Sequence, residues 1–301
     1  MPMNSPGTDR ERLIRRAYAS DDKLSVRQRT HELYTVPDID FTAWVLNCIQ
    51  WRGDEWVLDL GAGPGLYFAP VKARIPHGRH FAGDLSLGMV RRQREHEAAE
   101  GSRLAVMDGQ AIPFADDTFD VVLANHMLYH VPDLDRAAAE IKRVLKPEGV
   151  LVAATNSIYN MPELSTLLRR ALLVLTDFEY VEDTPLVSTS TAYRFSLENG
   201  SVILARQFFA VARYDLPSAL VFPEAEPVIA YLDSMRDLRE DYLPEGITWE
   251  QFIEVMRQQV ERLLAHSGQL IVRKLSGVLV ATEAGGFAAE YVAMLKQGGR
   301  A

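Results

Sequence analysis

The stretch Val57–Gly65, VLDLGAGPG, is an apolar run that carries one acid and closes on three glycines at alternate positions. A short buried strand running straight into glycines is the pattern of a turn that holds a phosphate, a dinucleotide or another nucleoside cofactor. A phosphate-cradling loop needs Lys-Ser or Lys-Thr after its glycines, and GPGLYFAP supplies neither. A dinucleotide fold spaces its glycines G-x-G-x-x-G, whereas Gly61, Gly63 and Gly65 are one residue tighter. Asp59, just ahead of them, would repel a pyrophosphate but suits a ligand carrying an ammonium or a sulfonium. Ligand charge decides between these readings.

Working outward, the chain alternates strands and helices from residue 55. Strands are expected at 55–60, 78–85, 102–108, 119–125 and 150–156, with helices after 65, over 86–100 from an N-cap at Ser86, and over 134–145. Strands separated by helices of this length pair in parallel, with helices on both faces, and ligands bind beyond the carboxyl ends of such strands. Asp84 lies nineteen positions after Gly65, where an acid can accept both hydroxyls of a ribose. Asp108 closes the next expected strand and could accept from an adenine amino group. One such acid would read as a turn or cap residue. Three in register with a glycine loop read as a nucleoside site.

The flanks are mainly helical. The periodicity of DRERLIRRAYA and DFTAWVLNCIQW predicts helices within 9–50, with the mixed segment SDDKLSVRQRTHELYTVPDI between them. Beyond 156 helices are expected at 161–178, 224–241 and 248–268, a strand at 206–217, and a strand pair or one long strand at 269–283. Helices inserted late in such a sheet commonly cap the site, the role expected of 157–200 and 218–268. The domains are therefore an N-terminal helical lid (1–50), a cofactor-binding core (51–156) and a segment completing the sheet with cap insertions (157–301).

The 301 residues carry 41 acids against 32 basic residues, a net charge of −9, which disfavours nucleic acid as a partner. No apolar run approaches the roughly 20 residues that span a bilayer, and MPMNSPGTDRERL lacks the apolar core of a signal peptide, so no membrane association and a cytoplasmic location are expected. Cys48 stands alone, which rules out an intrachain disulfide and reads as a buried small hydrophobe. Oligomeric state is left open, a homodimer included.

The segments VLDLGAGPG, FAGDLSLGMV, VMDGQAIPFADDTFDVVLANHMLYHV and RVLKPEGVLVAATN together resemble the class I S-adenosylmethionine-dependent methyltransferases, especially the small-molecule branch that includes the ubiquinone and menaquinone C-methyltransferases. The resemblance covers residues 55–156. It implies an α/β, Rossmann-like fold: a seven-stranded, mostly parallel sheet with helices on both faces, N-terminal helices and a helical cap. It implies S-adenosylmethionine as cofactor, S-adenosylhomocysteine as product and a small organic acceptor. Asp59 would order the loop and the methionine ammonium, and Gly61, Ala62, Gly63 and Gly65 would bring backbone to the methionine portion. Asp84 would bind the ribose, Leu85 and Met89 would line the nucleoside side, Asp108 and the Gly109 amide would meet the adenine, and Asn125 would face the methionine end.

Methyl transfer from a sulfonium needs alignment and exclusion of water, and a base only when the acceptor must lose a proton. His126 and His130 in NHMLYHV are the candidate bases, with a tether of a short helix as the alternative for His130. Their spacing of four lacks the glutamate of a zinc motif and any third ligand, so no metal is expected. Tyr34 is a third candidate at the transfer face, its alternative being an ordinary packed aromatic; Tyr18 is a further N-terminal tyrosine, and Tyr67, just after the glycine loop, is placed by proximity to contact the cofactor. The acceptor nucleophile is expected to be oxygen or carbon, with nitrogen open. Competing readings are a catalytically silent S-adenosylmethionine-binding protein used in regulation or assembly, and an NAD-dependent enzyme, the latter disfavoured by Asp59 and the glycine spacing.

Overall fold

The computed structural model describes residues 22–176 and 193–283. The expected DRERLIRRAYA helix, Tyr18, and the 177–180 part of the LLVLTDFEY segment lie outside the described residues. The chain divides into two compact units. Among the described residues, one holds 40–158, 194–215 and 276–283; the other holds 22–39, 159–176, 193 and 216–275.

The first unit contains α2 (Phe41–Leu46), β2 (Trp56–Leu60), α3 (Phe68–Arg74), β3 (Arg79–Asp84), α4 (Leu87–Glu95), β4 (Arg103–Val106), β5 (Phe119–Leu123), α5 (Leu134–Val144), β6 (Leu145–Asn156), α7 (Gly200–Leu204) and the nearer parts of β7 (Ala210–Phe222) and β8 (Leu270–Thr282). Its strands run in the order β7-β8-β6-β5-β2-β3-β4. The β6-β5-β2-β3-β4 ladder is parallel, and β8 joins β6 antiparallel, with Asn156 opposite Ser276. Strand alternation sorts the core into two layers. Leu58, Leu60, Val122, Leu151, Ala153, Leu279 and Ala281 pack on one face. Val57, Val121, Leu123, Val152, Ala154, Val278 and Val280 pack on the other, together with Tyr67, Val45 and Leu46.

The expected helix starts hold where a side chain caps them. Ser86 accepts from the Met89 N–H and Asp133 from the Arg136 N–H, each relieving a free amide of the first turn. Cys48 is half-buried with its thiol pushed up to about 12 by burial, which leaves it inert, in keeping with a small hydrophobe.

The second unit contains α1 (Asp22–Tyr34), β1 (Thr35–Val36), α6 (Pro162–Leu175), α8 (Ala225–Asp233), α9 (Arg236–Arg239), α10 (Trp249–Ser267) and the remaining ends of β7 and β8. Leu164, Leu168, Val228, Leu232, Phe252, Met256 and Val260 form its core. A capping box between Thr248 and Gln251 starts α10, and Gly268, at φ +75°, ends it.

Several expectations need correction. The sheet has eight strands rather than seven, because β1 adds two residues antiparallel to Leu220 and Ala219 of β7. Helix α1 lies inside the segment read as mixed; it has no apolar stripe, so periodicity gave no signal. β4 stops at Val106, leaving Asp108 in a turn that forms an isolated bridge with Ala111. The 224–241 helix breaks after Asp233 into a short helix and a 3-10 turn. Residues 269–283 form one long strand, and β7 starts later and runs further than 206–217.

Candidate functional site

The glycine loop leaves β2 at its carboxyl end and is tied to the neighbouring strand. The Gly61 and Ala62 amides both donate to the Gly83 carbonyl, at 2.8 and 3.0 Å. Gly61, Gly63 and Gly65 all take positive φ, +69°, +54° and +98°, a region in which a side chain is strained. At Gly61 a Cβ would also stand 2.7 Å from the Met127 Cβ, so the loop lies directly on Met127. At Gly63 nothing lies within 4 Å of that position, so the loop presents bare backbone to open space. Ligand backbone contact needs this combination.

Asp84, the last residue of β3, organises the loop. One carboxylate oxygen accepts the Gly63 amide at 3.0 Å and the other the Ser86 amide at 2.8 Å. Burial raises its pKa while these amides lower it, with a net rise. A carboxylate offers about four acceptor positions, so Asp84 retains capacity for hydroxyl donors.

Asp59 is buried, 1% exposed, and its Oδ2 has no hydrogen-bond partner. Burial, with the charge of Asp84 adding to it, pushes its pKa up to about 7. A buried carboxylate oxygen with no donor is costly unless a cation or a proton meets it. Asn125, just past β5, is also buried; its Oδ1 accepts the Ala154 amide at 3.0 Å, while its Nδ2 is unpartnered. These two give an unpartnered acceptor at the foot of a glycine loop and an unpartnered donor one strand away, which fits a ligand bearing both an ammonium and an acceptor group. A pyrophosphate would be repelled by the buried carboxylate of Asp59.

Asp108 accepts from the Gln110 backbone amide at 3.0 Å, and the Met107 amide donates to the Asp84 carbonyl. Gly109 is buried, a Cβ there standing 3.4 Å from Met127 and 3.5 Å from Leu60. Met127 therefore lies between Gly61 and Gly109 and joins the two loops, a role its sequence gave no reason to expect. Leu85 is half-buried, whereas Met89 is a buried residue of α4. Gln93 was also missed: fully buried, it donates its Nε2 to the Gly63 carbonyl at 2.8 Å. The available signal was its place on the same helix face as Met89 and Val90, a polar residue where an apolar one is expected.

The candidate bases divide. His126 sits at φ +54°, uncommon for a residue with a side chain, and its amide donates to Ala154. Its ring lies 5.6 Å from Phe41 and 6.4 Å from Tyr129. His130 ends a 3-10 turn, its ring 4.5 Å from that of the adjacent Tyr129. Tyr34 belongs to the second unit, where its ring packs 5.0 Å from that of Phe222. Among the described residues no group of His, Cys, Asp and Glu could hold a metal, and no helix is long and apolar enough to cross a membrane.

Residues 58–153 match the family described as "Methyltransferase domain". The glycine loop after β2 and most of the parallel α/β sheet lie within that matched stretch. Among named relatives, malonyl-[acyl-carrier protein] O-methyltransferase of Methylococcus capsulatus is 38% identical over 109 residues, 36% of this chain and 40% of that protein. The ubiquinone/menaquinone biosynthesis C-methyltransferase UbiE of Desulfotalea psychrophila is 36% identical over 113 residues, 36% of this chain and 46% of that one. The chain thus spans less than half the length of either relative. In fold, it is similar to phosphoethanolamine N-methyltransferase 2 of Haemonchus contortus, solved in complex with S-adenosyl-L-methionine. The TM-score is 0.53 at 14% identity, covering 92% of this chain and 60% of that one.

Proposed function

We propose that the chain transfers the methyl group of S-adenosylmethionine to a small organic acceptor, through oxygen or carbon, with nitrogen open. The observation that carries this reading is the buried, unpartnered Oδ2 of Asp59 at the foot of a loop of bare glycine backbone. When bound, the cofactor supplies an activated methyl on a sulfonium. The residues then have to bind, orient and exclude water. Asp59 meets the ammonium, and the open backbone at Gly63 accommodates the methionine chain. Asp84 takes the ribose hydroxyls on the lone pairs its two amides leave free. Asp108 and the Gly109 amide meet the adenine, with Leu85 beside it and Met89 supporting from within α4. Asn125 supplies its free Nδ2 to the methionine end. His126, beside Asn125 and carried on a strained backbone, is the residue favoured to contact the acceptor.

In this reading the setting is the cytoplasm, and the oligomeric state, a homodimer included, is left open. Isothermal calorimetry with S-adenosylmethionine, S-adenosylhomocysteine and NAD tests it. Binding of the first two, and at least tenfold weaker binding by Asp84→Asn, is the expected result. Binding of NAD alone would overturn the reading, and S-adenosylhomocysteine production with an acceptor panel extends the test to turnover.

A further inference from the structure

Tyr67 follows the glycine loop as the residue that precedes the first turn of α3, but its side chain makes no cap. It is 7% exposed, and its hydroxyl has no partner. A phenylalanine would fill the same apolar layer without stranding a hydroxyl, so packing alone does not account for a tyrosine here. That layer contains Val57, two residues before Asp59 on β2, and Leu123, which stands opposite Asp59 across the β2–β5 ladder. Side chains two apart on a strand share a face, so Asp59 and Tyr67 belong to the same side of the sheet. Ala154, whose amide holds Asn125, belongs to that layer too. The phenol is kept neutral by burial first and then by the charges of Asp59 and Asp40.

Three buried polar atoms on one face therefore lack partners: Asp59 Oδ2, Tyr67 Oη and Asn125 Nδ2. The acid and the phenol do not satisfy each other. A group with several N–H donors at one atom can serve both. We propose that the Tyr67 hydroxyl is a second acceptor for the ammonium of the cofactor's amino-acid end, acting with Asp59. This rests on the reading of the site given above. The neutral phenol contributes an acceptor without adding a second buried charge, which would raise the cost of the site before the ligand arrives.

The test is Tyr67→Phe, with two calorimetric probes and an unfolding midpoint. S-adenosylhomocysteine carries the ammonium; 5′-methylthioadenosine shares its nucleoside and lacks the amino-acid end. The variant is expected to bind S-adenosylhomocysteine about five- to twentyfold more weakly, as for one hydrogen bond to a charged group. It should bind 5′-methylthioadenosine unchanged and unfold no more easily than the wild type. Unchanged affinity for S-adenosylhomocysteine, equal losses for both probes, or a lowered midpoint would each overturn the assignment. Failure of the wild-type protein to bind either probe would instead overturn the cofactor reading on which it rests.

Discussion

Asp59 sets protein stability against ligand binding, and the Asp59→Asn substitution separates the two. Burial moves its pKa from 3.8 to about 7. The sign follows from linkage. Between those values the folded protein holds a proton that the unfolded chain has lost, so stability falls as pH rises through the window and the penalty is complete above it. Three pH units at 1.36 kcal/mol each make a maximum of about 4 kcal/mol. Being buried, the group needs no discount for solvent screening. An asparagine does not titrate, so the stability gap between variant and wild type should grow from about 2 kcal/mol near pH ~5 to about 4 kcal/mol near pH ~8. Urea unfolding of the unliganded proteins across that range measures it. The growth of the gap is diagnostic, because any fixed cost of the amide cancels. A gap that stays constant with pH would refute the reasoning.

The same proton reappears in binding. An ammonium beside Asp59 favours the carboxylate, so cofactor binding near pH ~6 should release close to one proton, and far less near pH ~8. Calorimetry in two buffers of different ionisation enthalpy reads that release directly. The Asp59→Asn protein should release none and bind at least tenfold more weakly.

Three further substitutions probe the core and the loop. His80 is buried, its Nδ1 2.8 Å from the Ser102 hydroxyl, and burial followed by the charge of Lys72 lowers its pKa from 6.5 to about 4. Its contribution has the opposite sign to that of Asp59: the unfolded chain binds the extra proton, so stability rises from about pH 4 to 6.5 by roughly 3 kcal/mol. His80→Gln should remove that rise in the same urea series, and an unchanged slope would show that His80 does not titrate as buried. For the loop, Gly61→Ala should destabilise by about 2 kcal/mol or more through its positive φ and the Met127 clash. Gly63→Ala, which meets no protein atom, should cost about 1 kcal/mol but weaken cofactor binding at least tenfold; equal binding by the Gly63 variant would place the ligand elsewhere.

What was legible in the sequence was local. VLDLGAGPG announced a strand, a loop of left-handed backbone and an isolated acid, because strand, glycine and charge each act within a few residues. Ser86 was readable as a cap for the same reason. The features missed depend on partners distant in sequence. Gln93 acquires its meaning only when α4 brings it to the Gly63 carbonyl, thirty residues away. Met127 acquires its own only when the loop after β5 carries it beneath Gly61. Helix α1, with no apolar stripe, and β1, with two residues, fall below what periodicity can register. Asp108 was placed at a strand end because apolar residues precede it, yet the ladder with β3 stops at Val106.

The polar groups of the site share one origin. In a parallel sheet the carboxyl ends of β2, β3 and β5 all open at the same edge, and there the ladder stops satisfying backbone and side chains. At that edge the protein spends local capping on some groups: Asp84 on two amides, Gln93 on the Gly63 carbonyl and Asn125 Oδ1 on Ala154. It leaves others without a partner, among them Asp59 Oδ2, Tyr67 Oη and Asn125 Nδ2. If these were accidents of packing, replacing them with isosteres would stabilise the protein and leave binding alone. If they form the ligand's counterpart, the same replacements must gain stability and lose affinity together. Asp59→Asn and Tyr67→Phe measured side by side distinguish the two cases, since only the second requires the gains and losses to occur in the same variants.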